Sequence, residues 1–395
     1  MSRFYTYLNT AVKIVHQYAG DIPLSSWLKD FYRQRKQMGS KDRKQVSELV
    51  YSYYRLGNSL PAYPAEDRML AGLFLCQQTP RELLHYLKRE WDEAIGLPLA
   101  EKQTLLKQKH PEFRPATIFP YQQELSAGID PELFNQSFLY QPDLFLRIRP
   151  GHEKAVLTKL QGTGISYQHL NPACIALPNT TKIDQLFEPD QEVVIQDYNS
   201  QQTGQFFFGA HPPPSPVVWD CCAASGGKSI MAFDANPSIR LTVSDIRPSI
   251  LHNLRQRFER AGILNYGSLL TDLSIPHPHL PSAEADLIIA DAPCSGSGTW
   301  ARTPEQLYFF QPEKILAYQE LQKKIVHAAA KKLKKGGRMV YITCSVFRKE
   351  NEEVVAYMQE QLGLQVETAL VLKGYDMRAD SMFAAVLSEP WFKTD

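Results

Sequence analysis

No apolar run in this 395-residue chain reaches the roughly 18 residues that a membrane-spanning helix requires. Charge of one sign is not in excess either. The 43 Lys and Arg against 42 Asp and Glu leave a formal net charge of +1, so overall charge announces no polyanionic partner, although a local basic face is compatible with it. Cysteine is sparse and unclustered. The six cysteines, at 76, 174, 221, 222, 294 and 344, form no C-x-x-C pair and no histidine cluster accompanies them. That pattern argues against a structural zinc site and against a disulfide framework. The expectations are no metal and a reducing, cytoplasmic setting. Arg3, Asn9, Lys13 and His16 interrupt the apolar residues at the start, which is wrong for a signal peptide. No internal repeat and no low-complexity tract is present. The chain is long enough for two or three domains, each with its own core.

What is there divides into three regions. Residues 1–140 read as an all-α domain. Phe4, Leu8, Ala11, Val12, Val15 and Tyr18 keep helical spacing, as do Leu24, Trp27, Leu28, Phe31 and Tyr32. Ser40 is a plausible N-cap for a helix carrying Val46, Leu49, Val50, Tyr53 and Tyr54, and Gly57 suits its stop. Thr79-Pro80-Arg81-Glu82 has the form of a capping box with proline at the first helical position. Residues 141–210 read as a small α+β segment, with strands at 145–148 and 174–177 around a helix at 153–160. The proline run 212–216, interrupted by Ser215, is then a stiff connector.

From 211 to 395 strands and helices alternate. Strands are expected at 217–221, 240–244, 267–270, 286–290 and 338–343, and helices at 227–235, 248–261, 312–334 and 350–361. This alternation predicts a mainly parallel sheet covered on both faces. Residues 364–367 and 382–387 are candidates for a closing antiparallel pair.

The first of these strands runs into Asp220-Cys221-Cys222-Ala223-Ala224-Ser225-Gly226-Gly227-Lys228-Ser229. A strand that passes through a small-residue turn into a helix is how a doubly wound fold binds a nucleotide-like cofactor. Glycines let backbone approach the ligand, and the helix N-terminus favours an anionic group. A P-loop also ends in Gly-Lys-Ser, but its first glycine would fall at Cys222. Asp245 ends the next strand, about twenty residues past the glycines, where an acidic residue accepts hydrogen bonds from ribose hydroxyls. It could equally cap the helix that starts at Pro248. Asp272 ends the third strand and could lie near an adenine, or be an ordinary turn aspartate.

Two cysteine motifs stand fifty residues apart, Asp291-Ala292-Pro293-Cys294-Ser295-Gly296-Ser297-Gly298 and Thr343-Cys344-Ser345, each after an apolar strand. Reactive groups gather outside the carboxyl ends of strands in open α/β sheets. Two thiols at one sheet edge suggest covalent chemistry followed by base-assisted release. Cys221 and Cys222 read as packing residues, with the backbone of Cys222 free to line a cofactor pocket. Cys76 and Cys174 read as plain core or surface thiols. Arg147 and Arg149 either meet phosphates or lie on a solvated strand face. Lys331-Lys332-Leu333-Lys334-Lys335 reads as a solvated helix end.

Taken together, these motifs resemble the RsmB-like, or Nol1/Nop2/Sun, family of RNA cytosine-5 methyltransferases. Ala-Ala before Gly226-Gly227-Lys228, the motif around Cys294, and Thr343-Cys344-Ser345 followed by Glu350-Asn351-Glu352 match in order and spacing over about residues 141–395. Gln196-Asp197 with Ser200-Gln201, and Arg302 with Pro304, match further motifs. The family usually has proline where Ser225 stands and asparagine near Arg149, and the match around Met382-Phe383-Ala384-Ala385 is abbreviated. Gly39-Ser40-Lys41-Asp42-Arg43 and Leu49-Val50-Tyr51 resemble the NusB-like RNA-binding domain that fronts bacterial members.

The resemblance implies a Rossmann-like methyltransferase domain that uses S-adenosyl-L-methionine. It implies a cofactor site of Cys222, Ala223, Ala224, Ser225, Gly226, Gly227, Lys228, Asp245, Asp272 and Asp291. Cys344 is the implied nucleophile at cytosine carbon 6. Asp291 would hold the base near ring nitrogen 3, Cys294 would serve release, and Lys228 would line the cofactor or base pocket. The implied partner is RNA, most readily bacterial 16S ribosomal RNA, with transfer RNA as the rival substrate. A non-catalytic RNA-binding assembly factor is the rival of a different class, and the presence of both thiols, Asp291 and the glycine turn speaks against it. A monomer is the expectation.

Overall fold

In the computed structural model, which describes residues 2–35 and 37–390, the chain forms two compact units. One takes the residues up to 123 together with 130–141 and 299–311. The other takes 124–129, 142–298 and the residues from 312 on.

The first unit is helical. Its long helices are Arg3–Gln17, Leu24–Arg33, Ser40–Arg55, Ala65–Cys76 and Leu99–Lys109. Ala65–Cys76 is buried from Arg68 to Leu75 without a break. A helix apolar all round has no stripe to betray it in sequence, and periodicity does not detect this one. Arg68, itself buried, donates to the carbonyls of Tyr53, Gly57 and Ser59 and so satisfies the end of helix Ser40–Arg55. Two expected caps are corrected. Ser40 is the first helical residue, Gly39 is the cap, and the Asp42 side chain accepts from the Gly39 N–H at 3.1 Å. The Thr79 box does not form, because helix Glu82–Leu87 starts later and the Arg81 N–H donates instead to Asp92 Oδ1 at 2.7 Å. Residues 299–311 are integral here. Glu305 Oε1 accepts from the N-terminal Leu24 N–H at 3.2 Å, Arg55 reaches the Ala301 carbonyl at 3.0 Å, and Trp300 and Leu307 are buried. Removing residues 1–140 would strip the partners from that segment.

The second unit holds two sheets. Strands β1 (Leu144–Ile148), β2 (Gln168–Asn171), β3 (Cys174–Leu177) and β4 (Val193–Ile195) form an antiparallel sheet in the order β2-β3-β1-β4. β2 and β4 are short and carry no clear alternation, and the sequence reading omits both. The large sheet comprises β5 (Val217–Asp220), β6 (Arg240–Asp245), β7 (Gly267–Leu270), β8 (Ala285–Asp291), β9 (Leu333–Thr343), β10 (Gln365–Leu372) and β11 (Met382–Ser388), in the order β10-β11-β9-β8-β5-β6-β7. β5 to β9 pair in parallel, while β11 runs antiparallel to both β9 and β10. The period of two is visible in the burial. Ile288, Ala290, Met339 and Tyr341 pack with helices Glu313–Ala330 and Glu352–Leu362 on one face. Leu287, Ile289, Val340 and Ile342 pack with Gly227–Ala235 and Pro248–Ala261 on the other. This is the Rossmann-like architecture that the alternation predicts. The lysine run is not a helix end. The helix stops at Ala330, and Leu333 begins β9, buried opposite Ala285. Among the described residues no helix is long and apolar enough to cross a membrane.

One contact fixes the edge of the sheet that matters below. The Gly298 N–H donates to the Cys344 carbonyl at 2.9 Å, and its own carbonyl accepts from the Ser381 N–H at 2.9 Å. A Cβ at 298 would stand 1.9 Å from the Ser381 oxygen and 3.1 Å from that of Cys344. Gly298→Ala is therefore expected to destabilise the protein by about 3 kcal/mol, the upper range for overpacking against backbone. An unchanged urea midpoint would refute that packing.

Candidate active site

The strand order reverses beside β5. The chain steps from β5 to β6 and β7 on one side, then returns to place β8 and β9 on the other. The crevice outside the carboxyl ends at such a switch point is the general ligand site of open α/β sheets.

The turn after β5 lies there. Ala224 and Gly226 have φ of +45° and +84°. A Cβ on Gly226 would meet the Phe258 ring at 2.7 Å, so glycine is required at 226 on both counts. The Ala224 N–H donates to Asp245 Oδ2 at 3.1 Å, and Asp245 Oδ1 accepts from the Arg247 N–H at 2.9 Å. Arg257 holds the turn from outside. It donates to both the carbonyl and the hydroxyl of Ser225 at 2.9 Å, and its other nitrogens bind Asp190 Oδ1 at 2.9 and 2.6 Å.

A cavity of about 480 Å³ opens beside this turn. It is lined by Cys221, Cys222, Ala224, Asp245, Ile246, Thr271, Asp272, Leu273, Asp291, Pro293, Cys294 and Tyr318, among others. Asp272 also accepts from the Ser274 N–H and hydroxyl, at 2.8 and 2.6 Å, which stiffens the wall. Ala223, Ser225, Gly226, Gly227 and Lys228 belong to the same turn and helix start but lie outside the lining. Tyr318, on helix Glu313–Ala330, is a lining residue that sequence reasoning missed; a single aromatic on an amphipathic helix gives no signal.

The two cysteine motifs meet. Parallel pairing sets Asp291 opposite Ile342 and so brings both loops to one level. Cys294 Sγ and Cys344 Sγ lie 3.3 Å apart. The bond to Cys344, followed by burial, holds the Cys294 thiol well above the usual cysteine range. Glu350, fully buried, ties the loops together. Its Oε2 accepts from the Ser295 N–H at 2.8 Å and from Gln322 at 3.1 Å, and its Oε1 accepts from the Ser345 hydroxyl at 2.8 Å. Asn351 Oδ1 accepts from Thr343 at 2.5 Å, and its Nδ2 donates to the Ser345 carbonyl at 2.9 Å.

A polar chain reaches the site from the small sheet. Lys228 Nζ donates to Asp291 Oδ2 at 3.0 Å and to Ser200 Oγ at 2.8 Å. Gln196 Nε2 donates to the same Ser200 Oγ at 3.1 Å, and Gln196 Oε1 accepts from Arg147 Nε at 2.8 Å. Arg147 and Arg149 both close on the buried Asp234, at 2.5 and 2.6 Å. They are structural and form neither a phosphate contact nor a solvated face. Asp220, at the end of β5, accepts from Ser229 at 2.6 Å, and burial pushes its carboxyl up to about 7.

Glu350 yields a pH-dependent expectation. Burial holds its carboxyl above the ordinary 4.5, although its hydrogen bonds oppose this. The unfolded chain then loses the proton first, so this group lowers stability as pH rises from 4.5 through the raised folded value. Glu350→Gln is expected to gain stability relative to the parent across that window, read by urea unfolding on either side of it. A pH-independent difference would contradict the burial account. Glu350→Ala leaves the Ser295 N–H unpaired and is expected to cost about 1–3 kcal/mol, a difference that narrows as pH rises through that window.

Comparison with known proteins agrees with this arrangement. Residues 210–376 match the family model described as 16S rRNA methyltransferase RsmB/F. The ribosomal RNA small subunit methyltransferase B of Xylella fastidiosa is 29% identical over 213 residues, covering 53% of this chain and 49% of that protein. The chain thus spans about half the length of that relative. The protein of the same name from Citrobacter koseri is 26% identical over 348 residues, 84% of this chain and 78% of that one. Among solved structures, NSun6 from Pyrococcus horikoshii superposes with a TM-score of 0.57 at 16% identity, covering 68% of this chain and 97% of that one, which shows a shared fold. With its glycine turn, paired cysteine loops and doubly wound sheet, the segment 210–376 is similar to the RsmB/F methyltransferase family.

Proposed function

We propose that this protein methylates carbon 5 of cytosine in RNA, with S-adenosyl-L-methionine as methyl donor and small-subunit ribosomal RNA as the target. The observation that carries the reading is the pair of thiols 3.3 Å apart at the rim of a cofactor-sized cavity. The cavity suits the donor by its chemistry. Its volume falls in the range of small-molecule sites. Asp245 offers acceptors for a ribose diol, Ile246 and Leu273 offer apolar walls for a flat base, and the turn Cys222–Gly227 offers backbone. When bound, the donor supplies an electrophilic methyl group.

The protein's own part is to make carbon 5 nucleophilic. The Cys344 thiolate adds to carbon 6, its electron pair moves through the ring, and ring nitrogen 3 takes a proton delivered from solvent through Asp291. Carbon 5 then carries the electron density that forms the new bond to methyl. In this reading the proton shared by the two sulfurs rests on Cys294, which then donates to the sulfur of Cys344. Once Cys344 is bonded to carbon, that sulfur no longer holds the proton as strongly, and Cys294 becomes more acidic. Cys294 can then lose its proton to solvent and, as the thiolate, accept the one on carbon 5. Re-forming the carbon 5–carbon 6 double bond expels Cys344 as the thiolate, and ring nitrogen 3 returns its proton to solvent through Asp291. The target nucleotide must be unstacked for this attack.

The helical unit is read as a NusB-like RNA-binding domain, with residues 1–140 delivering RNA to a catalytic domain built from 211–395 behind the segment 141–210. Lys41 and Lys44 line one cavity of that unit and are suited to phosphates, while Arg3 and Arg81 there pair with Glu82 and Glu48. The protein is placed in the cytoplasm, where both thiols stay reduced.

Two measurements test this reading. Sequencing for 5-methylcytosine in ribosomal RNA from a deletion strain is expected to lose one modified position that the parent carries, and an unchanged map would overturn the substrate assignment. Asp245→Ala is expected to weaken cofactor binding by about 1–3 kcal/mol, since the partner hydroxyls would be left unmatched in a buried site. Undiminished affinity by calorimetry would remove Asp245 from the cofactor contacts.

A further inference from the structure

We propose that a basic cleft beside the cofactor cavity binds the phosphate backbone of single-stranded RNA next to the target nucleotide. The inference rests on the RNA reading above. The cleft exists because one crossover of the large sheet has no helix. Helices Gly227–Ala235, Pro248–Ala261 and Glu313–Ala330 lie in the connections β5–β6, β6–β7 and β8–β9, but residues 271–284, between β7 and β8, form none. Pro276, Pro278 and Pro281 explain this, since each lacks an amide donor and each holds the residue before it in extended backbone. Buried Leu273 and half-buried Leu280 pin the loop to the core at its two ends. Ile275, between them, is left 49% exposed. A cleft of about 470 Å³ therefore remains between this loop and helix Glu313–Ala330.

The helix wall of the cleft is cationic. Lys324, His327 and Lys331 recur at helical spacing and share one face. Lys323 is paired at 2.9 Å with Glu320, the one acidic side chain of the lining. His327 Nδ1 and the Tyr357 hydroxyl are hydrogen-bonded at 3.1 Å, which fixes the floor. Lys324 and Lys331 are exposed and have no ion-pair partner among the described residues. Lys331, the first residue of the lysine run, thereby acquires a role. From 324 to 331 a helix rises about 10 Å, the axial length of about three stacked nucleotides. The opposite wall is apolar and stiff, with Ile275, Pro276 and Pro278 offering surface to riboses and base faces. A cationic rail facing such a wall is the general form of a single-strand binding groove. Two unpaired cations select an anionic occupant, and RNA is the anion that the proposed reaction brings. A target nucleotide drawn out of its stack leaves its neighbours single-stranded. Leu273 and Ser274 line both this cleft and the cofactor cavity, so the cleft begins at the rim of the catalytic crevice.

The test reads binding of a short fluorescein-labelled single-stranded RNA by anisotropy across a salt titration, with the full-length protein. For single strands, log K falls with log[salt] by about 0.7 per phosphate contact. Lys324→Ala combined with Lys331→Ala is expected to flatten that slope by about 1.4 and to weaken binding at low salt. Ile275→Lys, which adds a cation to the loop wall, is expected to steepen it by about 0.7 and to tighten binding at low salt. A gain of this kind cannot come from misfolding. Lys154→Ala combined with Lys182→Ala removes two exposed lysines from the segment 141–210 and controls for net charge, so its slope should match the parent's. An unchanged slope in the first two variants would overturn the proposal and leave an acidic peptide as the occupant. An equal loss in the control would overturn it as an effect of net charge alone. Failure of the methylation reading is recognised separately, because the parent would then bind RNA with the expected slope and transfer no methyl group to cytosine.

Discussion

The site depends on one buried carboxylate. Parallel pairing of β8 with β9 brings the two cysteine loops to the same level, but hydrogen-bonded strands set positions to within a side chain, not to within a thiol contact. Glu350 supplies the remaining precision by accepting from Ser295 beside Cys294 and from Ser345 beside Cys344. Burial of a carboxylate opposes folding, and three donors on the same group offset that penalty. Asn351 repeats the device one residue later by gripping Thr343 and the Ser345 carbonyl. Glu350 thus clasps the two cysteine loops together, and Asn351 fixes the second of them.

A second set of ties steadies the cofactor side. Two of the non-glycine residues at positive φ, Asp190 and Ala224, are joined through Arg257 and Ser225. Backbone strain of this kind costs on the order of 1–3 kcal/mol per residue and persists only where surroundings over-determine it. Here the surroundings are two guanidinium groups, from Arg257 and Arg260, on one buried carboxylate. Ser225 is held by hydrogen bonds from Arg257 to its carbonyl and hydroxyl. Asp291 joins the cavity wall to the polar chain that runs through Lys228 to Ser200.

Much of this was legible in the chain. The strands of the large sheet follow from β-branched runs at regular intervals, and both thiols and the glycine turn stand at their ends. What escaped has identifiable causes. Helix Ala65–Cys76 is buried all round and lacks a stripe. The Thr79 box and the Ser40 cap are correct local patterns overruled by Asp92 and Asp42. Leu333 changes Lys331–Lys335 from a helix end into a strand start, since a buried partner at Ala285 outweighs helix propensity. Arg147 and Arg149 read as surface charges because their partner, Asp234, is some eighty-five residues away. Glu350 and Ser200 were visible only as members of motifs; their contacts required coordinates.

In the proposed reaction two thiols divide the labour, with Cys344 bonding to the base and Cys294 releasing it. Denaturing gel electrophoresis of each cysteine variant with substrate RNA and cofactor tests it directly. Cys294→Ala should accumulate a protein–RNA adduct, because attack and methyl transfer proceed while removal of the carbon 5 proton slows. Cys344→Ala, and the double variant, should form none. Adducts with Cys344→Ala and none with Cys294→Ala would reverse the roles. The absence of an adduct from every variant, with methylation by the parent intact, would contradict covalent catalysis by this pair.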